Sequence, residues 1–301
     1  TLPAYSRTDN SHYVTLDEDR YDLSDVANFT NTGQTGATVP VQSISGAPTP
    51  AGILTTRAWG ETYYSNGTNR RILEFSVGKF MCRKLEELKD ASRVPDRVRQ
   101  DVSRSPGGDS SIFLNQCVGC HAGMDPLIAA FAYYEWAETA VDSGVFGLVY
   151  DNQIKHDPNA TVPVKHKFLI NAGSFPQGYV TVDDGWENYW REGKNAELGW
   201  GQVPLSAPSA QPPAVPASTA GNNALGYTNS GNGPTTYGEE FASSTAFAEC
   251  QVSRVYKHVC LQEPTMGHQA GLNTIRANFI SGATFDMKQV FAETAALCMG
   301  Q

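Results

Sequence analysis

The chain has 301 residues, of which 40% are hydrophobic and 18% are charged, so it can bury a sizeable core and wholesale disorder is excluded. With 31 acidic residues against 22 basic ones, its formal net charge is −9, which argues against nucleic acid as a partner and favours a basic protein surface. The longest apolar stretch, Pro126 to Ala137, is interrupted by Glu135 and is too short to form a transmembrane segment.

The first residues of the sequence predict the cellular location of the protein. The chain starts at Thr1 rather than at a methionine, which is typical of a processed product whose signal peptide has been removed. We therefore expect an exported, soluble protein, located in the bacterial periplasm or outside the cell. Residues 1–50 are polar and rich in Thr, Asn, Asp and Gly, and we predict that they form an extended N-terminal arm.

The first clear helical pattern begins near Thr68, which together with Asn69 offers an N-cap. Apolar residues then recur at the spacing of one helix face: Leu73, Val77, Phe80, Met81, Leu85 and Leu88. After a charged segment comes FLNQCVGCHAGMDP (residues 113–126), which runs into the aromatic-rich segment PLIAAFAYYEWAETA. Pro126 suits the first turn of a helix, so the sequence predicts that a helix begins there.

Residues 146–185 favour β structure. A period-two pattern, typical of a strand, places one set of side chains on a common face: Val162, Val164, His166, Phe168 and Ile170. Residues 204–237 are rich in Pro, Ala, Ser and Gly and predict a linker or a long surface loop. Beyond them, the sequence predicts three helical segments, at about 239–261, 272–281 and 285–298.

The segment CVGCH contains Cys117 and Cys120, with His121 directly after the second cysteine. A thioredoxin-like dithiol would lie in a βαβ series, and no such series is visible. A zinc site would need a second pair of ligands, but the other cysteines stand singly. Covalent haem needs two thiols for its vinyl groups and an imidazole on the next residue for its iron. We therefore predict one haem c, with His121 as the proximal iron ligand; the alternative is a chance CxxCH in a disulfide or a turn.

A family resemblance supports this interpretation. CVGCHAGMDPL resembles the CxxCH-x-x-hydrophobic-Asp-Pro-Leu motif of the planctomycete-type cytochrome c-like proteins. The upstream AGILTTRAWGETYYSNGTNRRILEFSVGKFMC and the downstream FASSTAFAECQVSRVYKHVCLQEP look like the flanking segments of that family, so the resemblance covers about residues 51–298. It implies a cytochrome c-like haem core. Two features depart from the pattern: Ile128 replaces a glycine, and residues 204–220 look inserted.

The sixth iron ligand has several candidates. His166 lies between Val164 and Phe168 on the apolar face of the predicted strand, and a buried imidazole needs a partner that iron would provide. A core histidine bonded to a backbone carbonyl would give the same pattern. Met266 and His268, in the segment EPTMGHQ, are the alternative distal ligands. We take His166 as the predicted distal ligand.

Four cysteines remain after the haem has taken two: Cys82, Cys250, Cys260 and Cys298. In an exported chain, this even number predicts two disulfides. If 245–261 is one helix, Cys250 and Cys260 lie about 15 Å apart along its axis, beyond the ~7 Å that a disulfide allows. Cys250 is therefore expected to pair with Cys82 or with Cys298, and Cys260 with the other.

These observations predict a mainly α fold with a small β insertion and much loop: a cytochrome c-like haem core with extra helices. We expect four regions, which are an extended N-terminal arm at 1–50, a c-type haem-binding domain with the β insertion at 51–203, a Pro/Gly/Ser-rich linker or surface loop at 204–237, and a C-terminal helical module at 238–301.

The function predicted from the sequence is electron transfer by a single covalently bound haem, with a redox protein as the partner. One alternative is a haem enzyme with an open distal side, of a peroxidase-like kind. Another is a cytochrome subunit that self-assembles into an extracellular polymer or joins a larger redox complex through its N-terminal arm and Pro-rich loop.

Overall fold

The computed structural model of the chain describes seven stretches and residue 11: residues 51–64, 70–98, 110–138, 146–150, 183–205, 229–281 and 284–299. The described part is mostly helical, with 67% of its residues in helices, and it contains two small antiparallel sheets. This agrees with the predicted mainly α fold. The predicted N-terminal arm apart from residue 11, the predicted strand with His166, and most of the Pro-rich segment lie outside the described residues.

The longer helices and the strands are labelled in chain order. The helices are α1 (Arg57–Tyr63), α2 (Arg70–Phe80), α3 (Val118–Ile128), α4 (Gly233–Ala242), α5 (Thr245–Cys260), α6 (Gln269–Ile280) and α7 (Met287–Met299). The strands are β1 (Tyr134–Glu138), β2 (Phe146–Tyr150), β3 (Gly185–Glu187) and β4 (Ser230–Asn232). Strand β1 pairs antiparallel with β2, and β3 pairs antiparallel with β4. Short 3₁₀ helices connect several of these elements, at Gly52–Thr55, Leu85–Leu88, Ala129–Phe131, Tyr189–Arg191, Gly193–Leu198 and Met266–His268.

The helical pattern predicted from Thr68 to Leu88 forms two elements. Its first part is α2, whose buried face includes Leu73 and Val77. The chain then breaks at Cys82, whose φ of 52° lies in the left-handed region that a helix of L-residues does not use. The remaining apolar positions continue in a 3₁₀ helix at Leu85–Leu88. The sequence periodicity therefore identified the buried face but not the change of direction at Cys82.

The helix predicted to begin at Pro126 is wrong in position. The helix α3 begins earlier, at Val118, and ends at Ile128, so Pro126 lies inside it rather than in its first turn. The following residues form β1, in which Tyr134 lies opposite Tyr150 and Trp136 opposite Leu148. Aromatic residues favour strands when a partner strand can cover them. Here β2 covers these side chains. The local spacing of residues in the sequence does not indicate that β1 and β2 pair.

Two apolar clusters account for most of the core. The larger one surrounds α2 and α3, and its largest side chains with almost no exposure are Tyr64, Phe131, Tyr134, Trp186, Trp190, Tyr237 and Phe241. The second joins the three last helices through Val252, Val255, Tyr256, Leu272, Ile275, Phe279 and Val290. A smaller cluster of Val98, Phe113, Val118 and Ala122 lies under the start of α3. The start of α3 thus packs on a small apolar cluster that is separate from the two larger ones.

The C-terminal part differs from the prediction at two boundaries. Ser243 and Ser244 interrupt the predicted helix 239–261, and the Ser244 side chain caps α5 by accepting a hydrogen bond from the Phe247 N–H at 3.1 Å. The loop predicted to extend to residue 237 ends earlier, because β4 and the start of α4 already occupy Ser230 to Tyr237, and Tyr237 is fully buried. The helices α6 and α7 agree closely with the two last predicted segments.

Both disulfides connect elements that are distant in the sequence. Cys82 pairs with Cys250, with a Cα–Cα distance of 5.3 Å, and Cys260 pairs with Cys298 at 5.7 Å. The first joins the end of α2 to α5, and the second joins the end of α5 to α7. The prediction of two disulfides is confirmed, as is the exclusion of a Cys250–Cys260 pair, because α5 is one continuous helix. Among the described residues, no helix is long and apolar enough to cross a membrane.

The two disulfides should contribute unequally to stability. Cys82 and Cys250 are separated by 168 residues and Cys260 and Cys298 by 38, so the first constrains the unfolded chain more. We expect each Cys→Ser double variant to lose about 2–5 kcal/mol of unfolding free energy, and the C82S/C250S variant to lose about 1 kcal/mol more than C260S/C298S. Denaturant unfolding under non-reducing conditions measures the loss of unfolding free energy in both variants. A larger loss in C260S/C298S would contradict the loop-length argument.

Candidate functional site

The CVGCH segment lies where a π-helical turn, Phe113–Cys117, passes into α3. Phe113 and Val118 are buried in the small cluster under this turn and hold its inner face. Residues three and four apart in a helix lie on one side, so Cys120 and His121 follow Cys117 on a common side. The motif therefore presents two thiols and one imidazole along the same side at the start of α3.

A neighbouring segment supports the motif from the side. The backbone N–H of Asp90 donates to the carbonyl of Gly119 at 2.8 Å, which lies between the two cysteines. The side-chain amide of Asn195 donates to the carbonyl of Leu88, also at 2.8 Å, and so holds that segment in place. The Cys120 sulfur lies 4.0 Å from the carbonyl oxygen of Leu85. The hydrogen bond from Asp90 to Gly119 fixes the backbone between the thiols.

The cysteines of the motif differ from the other four. Cys117 and Cys120 are unpaired and partly exposed, whereas the remaining cysteines form the two disulfides. Burial raises the pKa of the Cys120 thiol, an effect that Lys89 opposes and Glu86 reinforces. The Cys120 thiol is therefore neutral at neutral pH, and both sulfurs are available for a covalent bond.

A buried ion pair holds the imidazole of His121. Its Nδ1 lies 3.1 Å from Oδ1 of Asp125, one helical turn later. The Arg70 guanidinium donates from Nε to the same oxygen at 3.1 Å, and from a terminal nitrogen to Oδ2 at 3.3 Å. Burial raises the pKa of Asp125, but the hydrogen bond with His121 and the charge of Arg70 outweigh it and lower that pKa to about 2. With Nδ1 engaged, Nε2 is the imidazole nitrogen that can bind a metal.

The opposite side of α3 is buried and closely approached by a tryptophan. A β-carbon on Gly123 would overlap the indole of Trp190, which is fully buried. From Ala122 to Ile128 every residue of the helix is buried. A large cofactor held by this helix can therefore lie only at the end that bears Cys117, Cys120 and His121.

The donor atoms of the motif do not form a closed set of ligands for a small metal ion in the described part of the chain. Among the described residues, which include all three groups of the motif, no set of three or more His, Cys, Asp or Glu side chains converges on a common point. A tetrahedral zinc site needs such convergence. Haem c needs two thiols placed for the edge of a macrocycle and one imidazole for its centre, and the residues present fit that demand.

The predicted distal ligands are not brought to this site by the described residues. His166 lies outside them. The side chain of Met266 is 94% exposed, and His268 is buried among the C-terminal helices, 5.1 Å from the ring of Tyr256. The Nδ1 of His268 accepts a hydrogen bond from the backbone N–H of Thr265 at 2.9 Å. His268 thus has a structural role at the start of α6.

Sequence reasoning missed Arg70 and Asp125. Asp125 follows His121 by four residues, a spacing that places both on one side of a helix and could have indicated their contact. Arg70 lies 55 residues before Asp125, so no local pattern links them. The three residues form one continuous hydrogen-bonded unit that spans α2 and α3.

Comparisons with known proteins add no independent assignment. No family model, curated protein or solved structure matches the chain. The resemblance to cytochrome c-like proteins therefore depends on the quoted motif and its flanks alone. Any function must be argued from the motif and from the geometry of Cys117, Cys120 and His121.

Two glycines of α3 provide a matched test of its packing. We expect Gly123→Ala to lower the free energy of unfolding by about 1–3 kcal/mol, because the added methyl group would displace the buried indole of Trp190. Gly119→Ala is the control: its β-carbon would meet nothing nearer than 3.5 Å, and alanine favours a helix by up to about 1 kcal/mol. Thermal and denaturant unfolding compare the two, and equal stability of both variants would contradict the close packing at Gly123.

Proposed function

We propose that the protein is an exported c-type cytochrome that transfers electrons through one haem bound covalently by Cys117 and Cys120. One observation carries this proposal: two unpaired thiols and an imidazole with a fixed Nδ1 lie on one side of the start of α3, while all the other cysteines are paired. A disulfide-bonded protein that keeps two cysteines free at the spacing CxxCH favours haem attachment over a structural role for these cysteines.

Each residue of the site would have a separate task. Cys117 and Cys120 would hold the macrocycle by two thioether bonds, and His121 would bind the iron through Nε2. The haem supplies reversible one-electron chemistry when bound. Asp125 keeps the His121 ring in one orientation, and the packed face of α3 at Gly123 excludes water from the helix behind the site.

The distal side and the partner are proposed from the sequence. We propose His166 as the sixth ligand, which gives a bis-histidine haem with a reduction potential below that of His–Met cytochromes. The two disulfides are compatible with export to the periplasm or the cell exterior. The net charge of −9 favours a redox partner with a basic docking surface.

A second function is a haem enzyme with an open distal side, of a peroxidase-like kind. The carboxylate of Asp125 on Nδ1 of His121 favours it, because a carboxylate partner makes an imidazole ligand more electron-donating. Such a ligand stabilises the higher oxidation states that reactions with peroxide require. The hydrogen bonds from Arg70 to Asp125 reduce this effect, and we therefore rank electron transfer first.

Covalent attachment is the first property to test. Expressed with a c-type haem maturation system, the protein should retain its haem after acid–acetone extraction, and the peptide with residues 113–126 should carry the mass of one haem. The C117S/C120S variant should lose covalent haem completely. The C260S/C298S variant, which also lacks two cysteines, should retain it. Extraction of all haem from the unmodified protein would overturn the assignment.

Carbon monoxide binding separates the two functions. If His166 closes the distal side, the ferrous parent should bind carbon monoxide slowly or not at all, and His166→Ala should bind it rapidly. His258→Ala, which removes an exposed histidine of α5, is the control and should behave like the parent. Rapid binding by the parent itself would support the enzyme. A sulfur–iron charge-transfer band in the ferric parent would instead indicate a methionine as the sixth ligand and would exclude His166.

A further inference from the structure

We propose that the ion pair of Arg70 and Asp125 is a positioning device that selects the proton position on His121 and sets the reduction potential of the bound haem. The inference rests on the proposed haem attachment and adds to it two residues that do not touch the macrocycle. Arg70 lies outside the haem motif, and Asp125 belongs to its Asp-Pro-Leu part rather than to CxxCH. We infer their roles from the charges and hydrogen bonds of the side chains of Arg70, Asp125 and His121.

The carboxylate of Asp125 is the centre of the device. Its side chain is fully buried, and its Oδ1 is shared between Nδ1 of His121 and Nε of Arg70. A buried carboxylate without partners would be costly, and the contacts with His121 and with the Arg70 guanidinium together offset that cost. The result is a fixed negative charge 3.1 Å from the ring that would bind the iron.

This acceptor selects one form of the imidazole. A carboxylate that contacts Nδ1 favours the form in which Nδ1 carries the proton, and the lone pair of Nε2 then points away from Asp125. Because His121 and Asp125 belong to the same helix, the ring has little freedom to turn away from this contact. The chain therefore prepares the metal-binding nitrogen before any cofactor arrives.

The same charge acts on the iron. A nearby anion stabilises the ferric state relative to the ferrous state, because the ferric iron carries one more positive charge. Asp125 should thus lower the reduction potential, and Arg70 should raise it by compensating part of that anion. The two residues have opposite effects on one measurable quantity, although each of them contributes to the same hydrogen-bonded unit.

Opposite effects make the inference testable. At fixed pH, spectroelectrochemical titration should give a higher midpoint potential for Asp125→Asn, which keeps an acceptor for Nδ1 but removes the charge. Measured at a pH high enough to keep Asp125 ionised, the potential of Arg70→Met should be lower, because the carboxylate loses its compensating cation. Arg70→Lys retains the cation and should stay close to the parent. If Arg70→Met does not fold, Arg70→Gln tests the same charge while retaining a hydrogen-bond donor to Asp125.

A second buried ion pair gives the matched control. Arg191 donates from Nε to Glu240 at 2.8 Å, and both side chains are almost fully buried, whereas the carboxylate on His121 is that of Asp125. Glu240→Gln and Arg191→Met should lower stability without moving the potential. This control distinguishes a general loosening of the fold from a local electrostatic effect.

The outcomes separate this inference from the proposed function. If the haem is covalently attached but the Asp125→Asn and Arg70→Met variants shift the potential in the same direction, or not at all, the inference is wrong and the cytochrome assignment stands. If no haem attaches, the cytochrome assignment fails. The proton position can still be measured by ¹⁵N NMR of the imidazole in the haem-free chain. The parent should carry its proton on Nδ1, and Asp125→Ala should shift it towards Nε2; an unchanged proton position would refute the positioning role.

Discussion

A carboxylate that is fully buried in the protein connects the two helices on which the site depends. Asp125 belongs to α3 and Arg70 is the first residue of α2, so their ion pair fixes the start of one helix against the middle of the other. Without the guanidinium, the carboxylate would be an uncompensated charge in the core. The ion pair of Arg70 and Asp125 therefore influences three features at once: the orientation of His121, the position of α2 and the charge beside the site.

The burial of α3 explains why chemistry is confined to one end of the helix. Beyond His121 the helix is buried over its whole length, and the Trp190 indole lies directly against Gly123. Only the turn with Cys117 and Cys120 remains partly exposed. The proposed electron carrier would need this combination, in which a rigid backbone surrounds the cofactor and one edge of the cofactor lies close to the protein surface. A small residue at 123 is what allows the rigid side to approach so closely.

The sequence predicted the parts of this arrangement that depend on local spacing. The CxxCH motif, the buried face of α2 and the exclusion of a Cys250–Cys260 disulfide all follow from residues that are near one another in the chain. The strand at Tyr134–Glu138 could not be predicted in this way. Its aromatic residues suit a helix or a strand equally well by spacing, and pairing with β2 decides between the two.

Long-range electrostatics was the least predictable part of the site, and the reason is physical. The partner of the His121 ring could be a backbone carbonyl, a water molecule or a charged group, and the fold decides which of them lies at Nδ1. The charge of that partner depends in turn on a third residue. Asp125 is on the right side of α3, but as a lone buried acid it would be expected to become neutral. The hydrogen bond with His121 and the charge of Arg70, which is remote in sequence, together lower its pKa. The electronic character of the proposed iron ligand therefore depends on the tertiary contact between α2 and α3 as well as on the motif that identifies the ligand.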